Sequence, residues 1–443
     1  MQNELFEKTP IPKAYMKMAL PVVMGMVVTL VYNLVDTYFI AKTGNTNLIA
    51  GVSICAPLFT LLLAIGDIFG IGGSSVISRI LGAHDKENAR KKSTFCIYTA
   101  VITGVIFTIL MFAFKGQMLK VLGATDATYE YADQYYTWLI IGSTFVIFSL
   151  VPSNLLRAEG KAMESMIGSV IGTVINIILD PIFIFVLGLG AAGAAMATII
   201  GYIITCTFFV IIIKTKSDVL SIDLKDLKLD GGTFASVLAI GLPSSITNLM
   251  QTIGITLTNR FLLPYGDDNV AIMGIVLKIV NIAVLIIVGL AFGGQPLIGY
   301  CYGARLKDRL RKIIAFGMAL TGGAGVVCLV GLTVFAHPII GNFLTDEAMI
   351  ASGAKMLLFQ LFGMPLMGIC LIVICTFQAT GKAIGAFIMS SCRQGIVFLP
   401  AIIILSSILG LDGVIAAQFT ADIVTTVVAF VLFKALVWKE IRG

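Results

Sequence analysis

Residues 158–162 read Ala158-Glu159-Gly160-Lys161-Ala162, and residues 379–383 read Ala379-Thr380-Gly381-Lys382-Ala383. The echo is not isolated. Leu20-Pro21 recurs as Leu242-Pro243, Gly82-Ala83 as Gly303-Ala304, Arg90-Lys91 as Arg311-Lys312, and Thr125-Asp126 as Thr345-Asp346. The offset stays between 219 and 223 throughout, which marks a tandem repeat of one large unit. Between the copies lies the only long polar stretch of the interior, 214–232. The expected organisation is a first half over 1–213, a linker over 214–232 and a second half over 233–443.

Composition says what each copy is. Of the 443 residues, 58% are hydrophobic and 12% charged, where a soluble domain carries roughly 25% charged residues. A chain this apolar, with mean hydropathy +1.00, suits the bilayer as solvent. Hydropathy gives six runs in each half: 16–40, 48–78, 93–114, 134–156, 163–187 and 191–213, then 234–263, 270–299, 313–336, 353–379, 385–408 and 413–434. Alternating segments of about ten residues, as a β-barrel needs, do not occur. The first run has no A-x-A site and reads as a span, not a cleavable signal. Six is even, so both halves enter the membrane in the same direction. The fold class is therefore all-α integral membrane: twelve transmembrane helices in two parallel, pseudo-symmetric six-helix lobes. Such halves commonly enclose a substrate path and rock against each other.

The bases set the orientation. Of 30 Lys and Arg, 23 fall on one side of this topology, four (Lys42, Lys115, Lys120, Lys355) on the other, and three (Arg260, Lys278, Arg393) within spans. The positive-inside rule then puts both termini in the cytoplasm. The net charge of +6 is spread through short loops with no dense basic tract, so it does not point to nucleic acid. The eight cysteines sit in apolar runs at spacings that fit neither zinc nor a disulfide framework, and read as small packing residues.

Charge inside a bilayer is expensive and usually functional. Asp36, Asp67 and Asp180 lie in spans of the first half. At about 1.5 Å per residue, Asp180 sits ~25 Å and Asn176 ~20 Å from the inner end of span five, and Thr198 ~10 Å from the outer end of span six. Asp36 is near the outer end of span one. In a core ~30 Å thick the four groups meet in its outer half. Asn176 and Asp180, four apart, share a helix face, and Pro181 frees the Ile177 carbonyl. The set offers two carboxylates, an amide, a hydroxyl and a carbonyl, which suits a small hard cation or a proton. Hydrogen bonding between helices is the plainer alternative. The repeat aligns Asp36 with Thr258, Asn176 with Gly395 and Asp180 with Leu399, so the second half lacks this pair. Asp67, after Gly66, is read as a second coupling or gating group, or as a cap on a helix distortion at residues 70–73. In the second half Lys278, Arg393 and Asp422 lie close to mid-membrane and are expected to pair in an ion network.

Several stretches resemble one transporter family, multidrug and toxic compound extrusion (MATE). They are Ala19-Leu20-Pro21, Asn33-Leu34-Val35-Asp36-Thr37-Tyr38-Phe39-Ile40, Ser78-Arg79-Ile80-Leu81-Gly82-Ala83, Arg157-Ala158-Glu159-Gly160, Asn176-Ile177-Ile178-Leu179-Asp180-Pro181 and Gln378-Ala379-Thr380-Gly381-Lys382. The likeness runs from about residue 12 to 435 and is similar above all to the MepA-type bacterial subgroup. It implies a V-shaped pair of lobes, export of drugs or organic cations in exchange for sodium ions or protons by alternating access, a monomer in the bacterial inner membrane, and no cofactor beyond a bound Na+ or H+. It also maps cation-site roles onto Asp36, Asn176, Asp180 and Thr198.

The alternative function is a flippase for lipid-linked saccharides, which needs a strongly basic cavity; only three bases lie inside spans. An enzyme is not expected, since no HExxH, GxSxG or GxGD string occurs. An ATP-driven pump lacks its Walker A sequence.

Overall fold

The computed structural model describes residues 4–228 and 230–442, apart from the side chains of residues 248 and 249. Among the described residues there is no strand. The spans are α1 (Ile11–Lys42), α2 (Thr46–Gly82), α3 (Lys86–Ala113), α4 (Tyr129–Ile141 with Ser143–Ala158), α5 (Ala162–Val186) and α6 (Gly190–Lys216). They continue as α7 (Gly231–Tyr265), α8 (Asp267–Gly303), α9 (Lys307–Val334), α10 (Glu347–Thr380), α11 (Ala383–Leu409) and α12 (Leu411–Arg442). All twelve expected runs are helical. Most exceed the ~20 residues a bilayer core requires, so they extend past it or tilt.

The fourth run, expected as one segment over 134–156, is two helices bent by 48° about Gly142. The cause is a neighbour. Thr108 of α3 meets the Ser143 hydroxyl at 2.7 Å and the Ile140 carbonyl at 3.5 Å, and a side chain inserted into the backbone ladder kinks a helix. The repeat-related break in α10 falls at Gly363, between Glu347–Phe362 and Met364–Thr380. By contrast, α2 runs unbroken through Gly70-Ile71-Gly72-Gly73, so the distortion considered for Asp67 is absent. Those glycines serve close packing: a β-carbon on Gly70 would lie 2.9 Å from the Leu150 carbonyl oxygen, and one on Gly72 2.3 Å from that of Val237.

The compact units do not follow the sequence halves. One comprises Met24–Gly241, the other Met1–Val23 with Leu242–Gly443. They are drawn differently from the expected division into 1–213, 214–232 and 233–443, which follows the sequence repeat. The reason lies in α1 and α7, each of which serves both units, with the changeover close to Pro21 and Pro243. In the second unit, β-carbons on Gly289 and Gly293 of α8 would strike Val23 and Ala19. Phe6 there is fully buried and stacks on Tyr300 at 4.6 Å, while Arg309 donates to the Phe6 carbonyl at 2.6 Å. In the first unit, a β-carbon on Gly241 would lie 2.0 Å from the Ile68 carbonyl oxygen. The linker belongs to the first unit too. Tyr98 donates to the Ile222 carbonyl at 2.7 Å, Arg90 pairs with Asp226 at 2.7 Å, and Ser217 donates to Glu159 at 2.7 Å.

Within each unit the packing repeats. In the first, α2 and α3 pack on α4, and α5 on α6; in the second, α8 and α9 pack on α10, and α11 on α12. All eight cysteines are free.

Candidate functional site

The site is built where α5 and α6 touch. A β-carbon on Gly172 would lie 2.5 Å from the Gly201 carbonyl oxygen, and one on Gly201 2.6 Å from that of Gly172. Small residues let two membrane helices approach this closely. One turn further along α5 stands Asn176, and beside it on α6 stands Thr198. Asn176 is 3.3 Å from both the Asp180 carboxylate and the Thr198 hydroxyl. With the amide turned over, its nitrogen still donates to Asp180 at 3.3 Å and its oxygen accepts from the Thr198 backbone at 2.9 Å. In either orientation the amide bridges the two helices. Thr198 also donates to the Ala194 carbonyl at 3.1 Å. All three residues are buried, Asp180 completely.

Pro181 follows directly. It removes one helical hydrogen bond, and the chain beyond it widens into a π-turn over Ile182–Val186. Such turns often lie at functional positions.

The second carboxylate comes from α1. Asp36 is half-buried and close enough to Asp180 for the two to repel. It makes no hydrogen bond to Asn176 or Thr198 among the described residues. Tyr32, one turn before it, connects instead, with its hydroxyl 3.3 Å from that of Thr198. Tyr135 of α4 interacts electrostatically with both carboxylates, and Tyr202 of α6 stands among the same phenols. Among the described residues no Lys or Arg forms an ion pair with Asp36 or Asp180. An apolar cluster of Ile40, Leu48, Ile184, Ala191 and Ala194 packs next to this site, at the ends of α1 and α5 and the start of α6.

A cavity of about 280 Å³ opens beside the cluster within the first unit. Its wall mixes aromatic rings (Tyr32, Phe59, Tyr202) with hydroxyls and amides, including Thr29, Ser153 and Asn176, and contains no charged residue. This lining can wrap a flat organic molecule and meet its polar atoms singly.

Of the residues singled out in the sequence, Asn176, Asp180 and Thr198 are joined directly, and Asp36 lies within electrostatic reach of Asp180. Asp67 stands apart, half-buried on α2 and outside the cavity wall. Arg393 and Asp422 pair at 2.7 Å. Lys278 does not join them: it is exposed on α8 and belongs to none of the ion pairs of the described residues. Among the described residues the expected three-residue network is therefore a pair, with Lys278 exposed on α8. Sequence reasoning missed the phenols. Their signal was spacing: Tyr32 to Asp36 and Thr198 to Tyr202 repeat the four-residue step of Asn176 to Asp180, which aligns each pair on one face.

With this geometry established, comparison with known proteins is informative. The MatE family model matches residues 21–182 and again 243–404, one match per repeat. Multidrug export protein MepA from Staphylococcus aureus (strain MRSA252) is 32% identical over 431 residues, covering 97% of this chain and 95% of that protein. The MepA protein of Staphylococcus haemolyticus (strain JCSC1435) is 33% identical over 434 residues, at the same coverage. Among solved structures, a multidrug resistance MATE family transporter in the outward-facing conformation superposes with TM-score 0.92 at 26% identity, covering 99% of this chain and 98% of that one. A MATE chain in complex with MaL6 superposes with TM-score 0.93 at 25% identity, covering 100% and 99%. The chain thus belongs to the MatE family and is a multi-pass membrane transporter of the multidrug and toxic compound extrusion type.

Proposed function

We propose that this chain exports amphipathic, often cationic small molecules, and that an inward flow of sodium ions or protons drives the export through Asp36, Asn176, Asp180 and Thr198. The observation that carries the reading is a charge imbalance. Two carboxylates stand within electrostatic reach of each other in the membrane span, and among the described residues no basic side chain pairs with them. Carboxylates in low dielectric require a counter-ion or a proton. A cation arriving from outside supplies either, and its oxygen donors are already gathered. Asp67 on α2 is read as a further coupling or gating group.

The neighbouring cavity is proposed as the drug site. The export function of the MepA relatives and the drug-resistance role of the superposing MATE transporter support this. A wall without Lys or Arg supports it over the flippase alternative, whose pyrophosphate-bearing cargo demands basic residues. The distribution of bases supports both termini in the cytoplasm, the bacterial MepA relatives support an inner-membrane location, and the chain is taken to work as a monomer.

The test is efflux of a fluorescent organic cation from proteoliposomes under separately imposed sodium and proton gradients. Export driven by one gradient, and absent without either, is expected. Export indifferent to both would remove the antiport reading.

A further inference from the structure

The two units solve the same geometric problem with different charges. Gly142 and Gly363 are repeat-related, and each breaks the fourth helix of its half. A β-carbon on Gly142 would lie 2.3 Å from Ile199 of α6; one on Gly363 would lie 2.2 Å from Asp422 of α12. Ile199 and Asp422 therefore hold equivalent places, and Ile199 is the immediate neighbour of Thr198. In the first unit the polar bridge joins α5 to α6 through Asn176 and Thr198. In the second it joins α11 to α12 through Arg393 and Asp422 at 2.7 Å. A π-turn over Cys392–Ile396 carries the arginine, as another follows Asp180 in α5.

The charge balance differs. Around Asn176 and Thr198 the first unit gathers two carboxylates and, among the described residues, no paired base. The second gathers one carboxylate, 3% exposed, and one guanidinium. The groups facing Asp422 are Arg393 from α11, Gln418 on its own helix, 3.2 Å away, and Cys370 from α10, which also contacts Thr426 at 3.2 Å. Ser390 and Thr425, one turn from Arg393 and Asp422 on the same two helices, carry buried hydroxyls with no hydrogen-bond partner.

We infer that Arg393 is a resident counter-cation: it fills, by a covalently held charge, the role in the second unit that the first leaves to an exchangeable cation, and so confines ion coupling to the first unit. This rests on the reading of Asp36 and Asp180 as the exchangeable site. A buried pair broken on one side leaves an uncompensated charge. Without its guanidinium, Asp422 would therefore recruit a sodium ion or a proton. The Gln418 amide and the free hydroxyls of Ser390 and Thr425 are oxygen donors of the kind found in the first unit.

The test is made on the full-length chain in detergent, in a D36N/D180N background that silences the first unit. Bound sodium is counted by equilibrium dialysis, and bound protons by titration in sodium-free buffer across neutral pH. Adding R393Q is expected to gain about one bound cation per chain. R393K and R393Q/D422N are expected to gain none. No gain in R393Q, or a gain that persists in R393Q/D422N, overturns the inference. Should R393Q prove too unstable to titrate, its thermal unfolding carries the test. Recovery by D422N or by saturating sodium or acid supports the inference, and a loss that none of these recovers contradicts it. Transport by D36N and D180N in the otherwise native chain reports on the first unit separately, so failure of that reading is seen independently.

Discussion

Gly172 of α5 and Gly201 of α6 touch backbone to backbone, and that contact sets the register in which Asn176 meets Thr198. A methyl group has no room there: on Gly172 it would lie 2.0 Å from the Thr205 hydroxyl. Overpacking of this kind typically costs about 1–3 kcal/mol. Gly172→Ala and Gly201→Ala are expected to lower the thermal midpoint in detergent and to weaken cation-driven efflux together. Normal efflux from a destabilised Gly172→Ala would separate the helix contact from the site.

Among the described residues, Asn176 is the one side chain bonded to both Asp180 and Thr198. Hydrogen bonds to charged groups contribute roughly 1.5–3 kcal/mol, so Asn176→Ala is expected to weaken coupling-cation affinity by at least about tenfold. Thr198→Val removes a neutral bond with a net worth near 1 kcal/mol, about fivefold. The measurement is the dependence of efflux on cation concentration. Equal effects from the two variants would contradict the bridging geometry.

Tyr32 reaches the cluster only through its hydroxyl, 3.3 Å from that of Thr198. Tyr32→Phe keeps the ring in the cavity wall and removes the polar contact. Cation half-saturation is expected to rise a few-fold, with drug affinity nearly unchanged. A shift confined to drug affinity would mean that the ring serves the cavity alone.

Much of this architecture was legible in the sequence, because bilayer helices announce themselves by length and apolarity, and repeats by offset. Asn176 and Asp180 were legible because polar groups four apart in an apolar helix must share a face. Other features depended on partners that one helix does not reveal. The bend at Gly142 comes from Thr108 of α3, and the membership of residues 1–23 in the second unit comes from glycines of α8. Lys278 looked like a mid-membrane partner for Asp422, yet it is exposed and Asp422 pairs with Arg393 alone among the described ion pairs. Hydroxyls such as Thr29 and Ser153 line the cavity, but a hydroxyl in a helix so often bonds its own backbone that its position alone carries little signal.

The linker makes a pH-dependent prediction. Hydrogen bonds from Thr233 and the Gly232 amide hold Asp230 down at about 2, and a bond from Ser221, with Arg90, lowers Asp226. A depressed carboxyl contributes stability above its unfolded value and loses it as pH falls through the folded one. Attachment of residues 217–228 to the first unit through Asp226, and the cap that Asp230 places on α7, are therefore expected to hold at neutral and mildly acid pH and to loosen between about 4 and 2. Pepsin cleavage within the linker, followed across that window, reads this directly. Ready cleavage already at the upper end would contradict the tethering.

The central claim is that the Asp36 and Asp180 carboxylates of α1 and α5 hold the driving cation. Its most direct measurement is cation binding to the purified chain, with sodium and protons counted separately, in the native protein and in Asp180→Asn. The native chain is expected to bind the ion whose gradient drives efflux. Asp180→Asn should lose that binding while its unfolding midpoint stays close to native. Undiminished binding in Asp180→Asn would contradict the account.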